Sequence, residues 1–142
     1  MKDKTIDSVI KSTWQAIARM YNEEASKYGA SMALGYALLN IDKEGTPSTA
    51  LAPKLGMEPT SLTRTLKTME EKGLIYKKKN PKDGRGVNIY LTELGVEKRK
   101  LSKKTVLKFN DKLIETFTQQ EIDTFIEMSQ TIQELIHSKE IY

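Results

Sequence analysis

Cysteine is absent from the 142 residues, there is one histidine and one tryptophan, and aromatic residues make up only 7% of the chain. Without cysteine there is no disulfide framework, no thiolate metal site and no oxidant sensing through a thiol. His137, near the C-terminal end of a helical pattern, has no second histidine or cysteine to complete a nucleophilic triad or a zinc site; in that position an imidazole more often faces the helix dipole. No Gly-rich phosphate-binding motif occurs, and the carboxylate neighbours Glu23-Glu24 and Glu70-Glu71 fall side by side on helical patterns, where solvation is the simplest reading. These absences predict a protein that is not an enzyme and needs neither a metal nor a cofactor. Long apolar runs are missing too. The least polar stretch, Ala30 to Ile41, is too short to span a bilayer, and Met1 to Thr5 has no apolar signal-peptide core. A soluble, cytoplasmic chain with no membrane partner is expected, and its length fits a single domain over 1–142.

The charge is unevenly placed. Residues 46–91 carry nine Lys or Arg against four Asp or Glu, residues 1–45 carry six against six, and residues 92–142 carry eight against nine. The whole basic excess therefore sits in the middle third, a footprint suited to phosphate.

That segment reads as two short helices, a Gly turn and a hairpin. The first helix is expected to start at Ser48 or Thr49, with a hydroxyl capping the opening turn, and to end at Leu55 before Gly56. Pro59 opens the second, which runs to Lys72 and stops at Gly73. Leu62, Leu66 and Met69 form its apolar stripe, which places Thr60, Ser61, Arg64 and Lys67 on or beside the opposite face. All four can donate hydrogen bonds and none is acidic, as a helix reading a DNA major groove requires. On the helix alone, an ordinary solvated face explains the residues equally well. Strands are expected over Leu74–Lys79 and Val87–Thr92, where Val87, Ile89 and Leu91 alternate with polar neighbours. The turn between them carries Lys82 and Arg85 beside the run Lys77-Lys78-Lys79. Lysines that protect a sheet edge explain that run, but not a basic tip next to a helix pair. A protruding basic hairpin can reach the DNA backbone, and an Arg at its tip suits a narrow minor groove. Lys54 and the run Lys77-Lys78-Lys79 are the expected phosphate contacts, and Lys82 at the tip is expected to bind DNA as well.

The flanks read as helices: Ile6 to near Gly29, Ser31 to Asp42, Thr92 to about Phe117, and a last one announced by the capping-box pattern Thr118-Gln119-Gln120-Glu121. They carry more apolar face than a small winged unit needs, which suits either a bundle within the chain or pairing with a second copy; two recognition helices one turn of DNA apart would favour the pair.

In this order the motifs resemble the multiple antibiotic resistance regulator (MarR) family. The matching text is Leu51-Ala52-Pro53-Lys54-Leu55-Gly56, Ser61-Leu62-Thr63-Arg64, Glu70-Glu71-Lys72-Gly73-Leu74-Ile75, Asp83-Gly84-Arg85 and Leu91-Thr92-Glu93-Leu94-Gly95. The resemblance implies a mainly α fold with a small β-hairpin wing, a winged helix–turn–helix over 31–91 flanked by dimerisation helices at 1–29 and 93–142. It implies a homodimer on double-stranded DNA, with Arg64 and its neighbours in the major groove, Arg85 in the minor groove and Asp83 holding the wing. It also implies a possible small aromatic or anionic effector in a cleft, for which Trp14, Tyr21, Met32 and Tyr36 are the candidates, although such residues at helical spacing usually belong to a core or an interface. Pro53 departs from the family pattern and predicts a distorted or late-starting first helix. A repressor of a pseudo-palindromic operator is the expected function. The rival is a winged-helix dimer without operator binding, acting as a protein-interaction module or a small-molecule-binding protein.

Overall fold

A computed structural model describes residues 4–80, 82 and 86–142. The chain runs α1 (Ile6–Ser26), α2 (Met32–Asn40), β1 (Thr46–Pro47), α3 (Ser48–Leu55), α4 (Pro59–Glu71), β2 (Ile75–Lys79), β3 (Val87–Leu91), α5 (Glu93–Thr116) and α6 (Gln119–His137). It divides into two compact units, Met1–Lys103 and Lys104–Tyr142, with the boundary inside α5. The architecture is the expected one, mainly helical with a small wing. The sheet is larger than a hairpin, however, because β1 joins it in the order β1-β3-β2, pairing Thr46 with Ile89 and Pro47 with Asn88.

Local chemistry sets most boundaries. Thr5 caps α1 by accepting from the Ser8 amide, and Ser31 caps α2 by accepting from the Leu34 amide. Gly29, Gly56 and Gly73 take positive φ values of 68°, 60° and 71° where helices must end and turn. One expectation fails: α3 has no side-chain cap, because it starts at Ser48 itself and the preceding position is Pro47, which has no side-chain hydrogen-bonding group. Pro53 lies inside α3, yet the helix neither starts late nor breaks. Proline there costs one backbone donor, and Gly56 closes the short helix by donating to Ala52 and Pro53 carbonyls.

The core of the first unit joins Leu34, Ala37, Leu38 and Ile41, Leu51 of α3, Leu62, Leu66 and Met69 of α4, and Leu74, Ile75 and Ile89 of the sheet. The expected α4 stripe is thus buried, which fixes its other face outward. Burial of each large side chain is worth about 1.5–3 kcal/mol. In the second unit, the capping box at α6 forms as expected: Thr118 accepts from the Glu121 amide at 3.1 Å while Glu121 accepts from the Thr118 amide at 3.0 Å. Among the described residues, no helix is long and apolar enough to cross a membrane.

Candidate nucleic-acid interface

The outward face of α4 carries the four residues expected there. Thr60, Ser61, Arg64 and Lys67 are all exposed. Thr63, Thr65 and Thr68 bond their hydroxyls back to the carbonyls of Pro59, Ser61 and Arg64 at 2.9, 3.0 and 3.1 Å. Among the described residues, the Thr60 and Ser61 hydroxyls make no side-chain bond of this kind, and Arg64 and Lys67 have no ion-pair partner. Pro59 occupies the first turn, no acidic residue follows it there, and Glu58 does not cap with its side chain. The helix therefore offers amide groups, two hydroxyls and the positive end of its dipole to an anion.

The wing is held against α4 by a compact joint. Gly73 turns the chain out of the helix, and the Thr92 hydroxyl donates to the Gly73 carbonyl at 2.6 Å. The Thr92 amide donates to the Leu74 carbonyl at 3.0 Å, and the same hydroxyl accepts from the Gly95 amide at 3.0 Å. One threonine thus joins the end of α4, the start of β2, the end of β3 and the start of α5. Gly95 has to be glycine for this joint: a Cβ there would lie 2.0 Å from the Leu74 carbonyl oxygen. The Leu-Thr-x-x-Gly text is in this way a structural clamp that sets the angle between helix and wing.

Strand alternation then divides the basic run. Lys77 and Lys79 share the strand face of Ile75, with Lys77 3.9 Å from Glu70 of α4; both partners are solvated, so the pair is weak and easily exchanged. Lys78 lies on the opposite face with its ammonium 5.5 Å above the Tyr76 ring and 5.8 Å above the Tyr90 ring. Those rings stack at 5.3 Å with an interplanar angle of 13°. Lys79, Lys82 and, on α3, Lys54 are exposed. The turn is closed by the Asn80 amide donating to the Gly86 carbonyl at 2.8 Å, and the Lys82 amide donates to Asn80 Oδ1 at 2.9 Å. Asp83 and Arg85 lie outside the described residues. Lys72, basic and adjacent to the helix end, points away from this surface and donates to the Gly29 carbonyl between α1 and α2.

The candidate effector residues are only partly assembled. Tyr21 is buried and meets Tyr36 edge to face, with ring centroids 6.0 Å apart. Burial raises both phenol pKa values, and the neighbouring Tyr36 adds to the rise at Tyr21. The Met32 amide donates to Asn22 Oδ1 at 2.9 Å, while Trp14 sits half exposed on α1, two turns before Tyr21. The pair Tyr21–Tyr36 accounts for itself as packing between α1 and α2.

Sequence reasoning missed three features: β1, the Tyr76–Lys78–Tyr90 assembly and the internal use of Lys72. A two-residue strand has no readable period. The tyrosine pair follows only from the cross-strand register that sets Tyr76 opposite Tyr90.

Comparison with known proteins agrees with this geometry. The MarR family model matches residues 37–87, from α2 to the first residue of β3. The fold is shared with the S. aureus MepR–DNA complex, at 16% identity over 96% of this chain and 99% of that one, with a TM-score of 0.81. A cysteine-to-serine mutant of E. coli MarR complexed with operator DNA aligns at 24% identity over 89% of this chain and 92% of that one, TM-score 0.79. The transcriptional regulator SlyA aligns at 18% identity over 96% of each chain, TM-score 0.84. The MarR family model thus matches the helix–turn–helix and the wing as far as the start of β3, and the fold of these regulators is shared along nearly the whole chain.

Proposed function

We propose that the protein is a DNA-binding transcriptional regulator that works as a cytoplasmic homodimer and represses by occupying a pseudo-palindromic operator. The observation that carries this reading is the outward face of α4, where Thr60, Ser61, Arg64 and Lys67 stand exposed beside the lysines of the wing. Two solved relatives of the same fold are complexes with DNA, one of them with operator DNA, which supports the same use of the helix here. In this reading Arg64 grips a guanine edge in the major groove, Thr60, Ser61 and Lys67 contact neighbouring bases or phosphates, and Arg85 enters the minor groove with Asp83 holding the wing. Lys54, Lys77, Lys79 and Lys82 contact the backbone.

Unburied apolar surface supports the homodimer. Ile6, Val9, Ile10 and Trp14 of α1 stand in solvent, and so do Phe125, Ile126, Met128 and Ile136 of α6. Surface of this kind marks an interface. Release would come from an effector, a small aromatic or anionic molecule near Trp14, Tyr21, Met32 and Tyr36, that alters the spacing of the two winged units, so that both helices no longer fit successive grooves.

The test is selection of random duplex DNA by the purified protein at near-physiological salt. The reading expects an enriched palindrome with half-sites about ten base pairs apart. No enrichment by protein shown to be folded and dimeric, across a panel of aromatic and anionic small molecules, would sink it.

A further inference from the structure

Three adjacent lysines in the turn-side half of β2 look interchangeable in sequence, but their surroundings differ. Lys77 and Lys79 lie on the helix side of the sheet, whereas Lys78 lies on the outer side with its ammonium within 6 Å of two tyrosine rings. This is the distance at which a cation is held by the negative face of a ring. Tyr76 and Tyr90 are directly opposed across β2 and β3 and stacked nearly parallel, an arrangement that adds to pairing beyond area burial. Tyr90 also closes on the turn before β1: a Cβ at Gly45, whose φ is 99°, would fall 2.5 Å from Tyr90 Cε1. The same turn is fixed by the Thr46 hydroxyl, which accepts from the Asp42 amide at 2.8 Å. One continuous assembly thus runs from the 42–45 turn through Tyr90 and Tyr76 to Lys78, and it spans all three strands of the sheet.

We infer that Lys78, with Tyr76 and Tyr90, is a positioning element of the wing and not a phosphate contact. The inference rests on the DNA-binding reading only for its consequence. The brace stiffens the β2–β3 pair, so that Lys77 and Lys79 are held in place before DNA arrives and less ordering remains to be done on binding. Removing the cation loosens the wing without removing a charge that touches phosphate.

Two measurements separate this from an ordinary basic residue. The first is affinity for the selected operator against salt concentration. Lys78→Met is expected to bind about two- to five-fold more weakly, with an unchanged slope of log K against log salt, and Lys78→Arg to restore wild-type affinity. A slope reduced by about 0.9 in Lys78→Met would make the lysine a phosphate contact and overturn the inference. The second is amide hydrogen exchange in DNA-free protein, which needs no operator. Lys78→Met and Tyr76→Leu are each expected to speed exchange at the β2–β3 amides while leaving the α2 and α4 amides unchanged. Unaltered exchange across the sheet in both variants would show that there is no brace. If the wild-type protein selects no duplex at all, the DNA-binding reading fails by itself, and hydrogen exchange still decides the role of Lys78.

Discussion

Every buried side chain among the described residues lies in the unit Met1–Lys103; from Lys104 to Tyr142 none is buried, although Phe125 there is 70% exposed and Met128 and Ile136 are nearly as open. Both units are built from amphipathic helices. The first closes its apolar stripes on its own sheet and helices, with Leu38 at 1% exposure and Ile41, Leu51, Met69 and Ile89 at zero. The second has good helical texture and a complete capping box, but no interior of its own. The difference teaches that helix formation and core formation are separate problems. Local spacing and caps set where a helix starts, stops and turns its apolar face, whereas a core requires a facing surface, which α6 lacks within its own unit. In the first unit the core also has a directional effect: by burying Leu62, Leu66 and Met69 it leaves Arg64 and Lys67 no option but the outside.

The comparison breaks most visibly at the two kinds of apolar position. Leu38→Ala should cost about 2–5 kcal/mol, from lost transfer energy and an unfilled cavity. The loss, read from denaturant midpoints, should be the same at every protein concentration if this core belongs to one chain. Phe125→Ser should do the reverse. Isolated chains should barely notice it, since the ring is already in solvent, but the self-association constant measured by sedimentation should fall, and the melting temperature should lose its dependence on concentration. A Phe125→Ser protein that loses stability equally at all concentrations would show that α6 is a monomer's core element, and the contrast between the units would collapse.

Arg64→Ala sharpens the directional part of the contrast. Arg64 is exposed and without an ion-pair partner among the described residues, so its loss should leave thermal stability within about 0.5 kcal/mol of wild type. Operator affinity should fall by about 1–3 kcal/mol, with base preference relaxed at one position of each half-site. Equal weakening on operator and random duplex would reassign Arg64 to phosphate.

What could be read from the sequence divides along the same line. Helix ends were legible because single residues cause them: Ser31, Gly56, Pro59, Gly73 and the Thr118–Glu121 box act within a few positions of themselves. The α4 stripe and the alternation of Val87, Ile89 and Leu91 were legible because periodicity survives in any context. Features created by distant chain segments were not. The strand at Thr46–Pro47 exists only because Ile89 and Asn88 lie beside it, and Lys72 reaches a carbonyl 43 positions away. Neither Ser48 nor Thr49 caps α3, for a local reason: the helix begins at Ser48 itself, so the capping position falls on Pro47. At the candidate interface the exposed cations were predictable one by one, but the division of the lysine run into two faces needed the register of β2 on β3.

The smallest effect concerns how α6 begins. The Thr118 amide, which donates to the Glu121 carboxylate, lowers its pKa below the ordinary value, with a further lowering from the Thr118 side chain. A carboxylate depressed in the folded state stabilises that state fully above its ordinary unfolded pKa, and the contribution is lost as pH falls through the lower folded value. Because the group is exposed, the global stability should hardly register it. Protection of the first α6 amides should decline on acidification through that window, whereas Glu121→Gln, which keeps an acceptor but cannot titrate, should give a flat profile. The start of α2 provides the control: Ser31 caps it with an uncharged hydroxyl, and Leu34, Ala37 and Leu38 anchor it in the core. If both helix starts fray together on acidification, the cap is not what holds α6; if α6 frays alone, a unit without buried side chains depends on its local hydrogen bonds in a way that the winged unit does not.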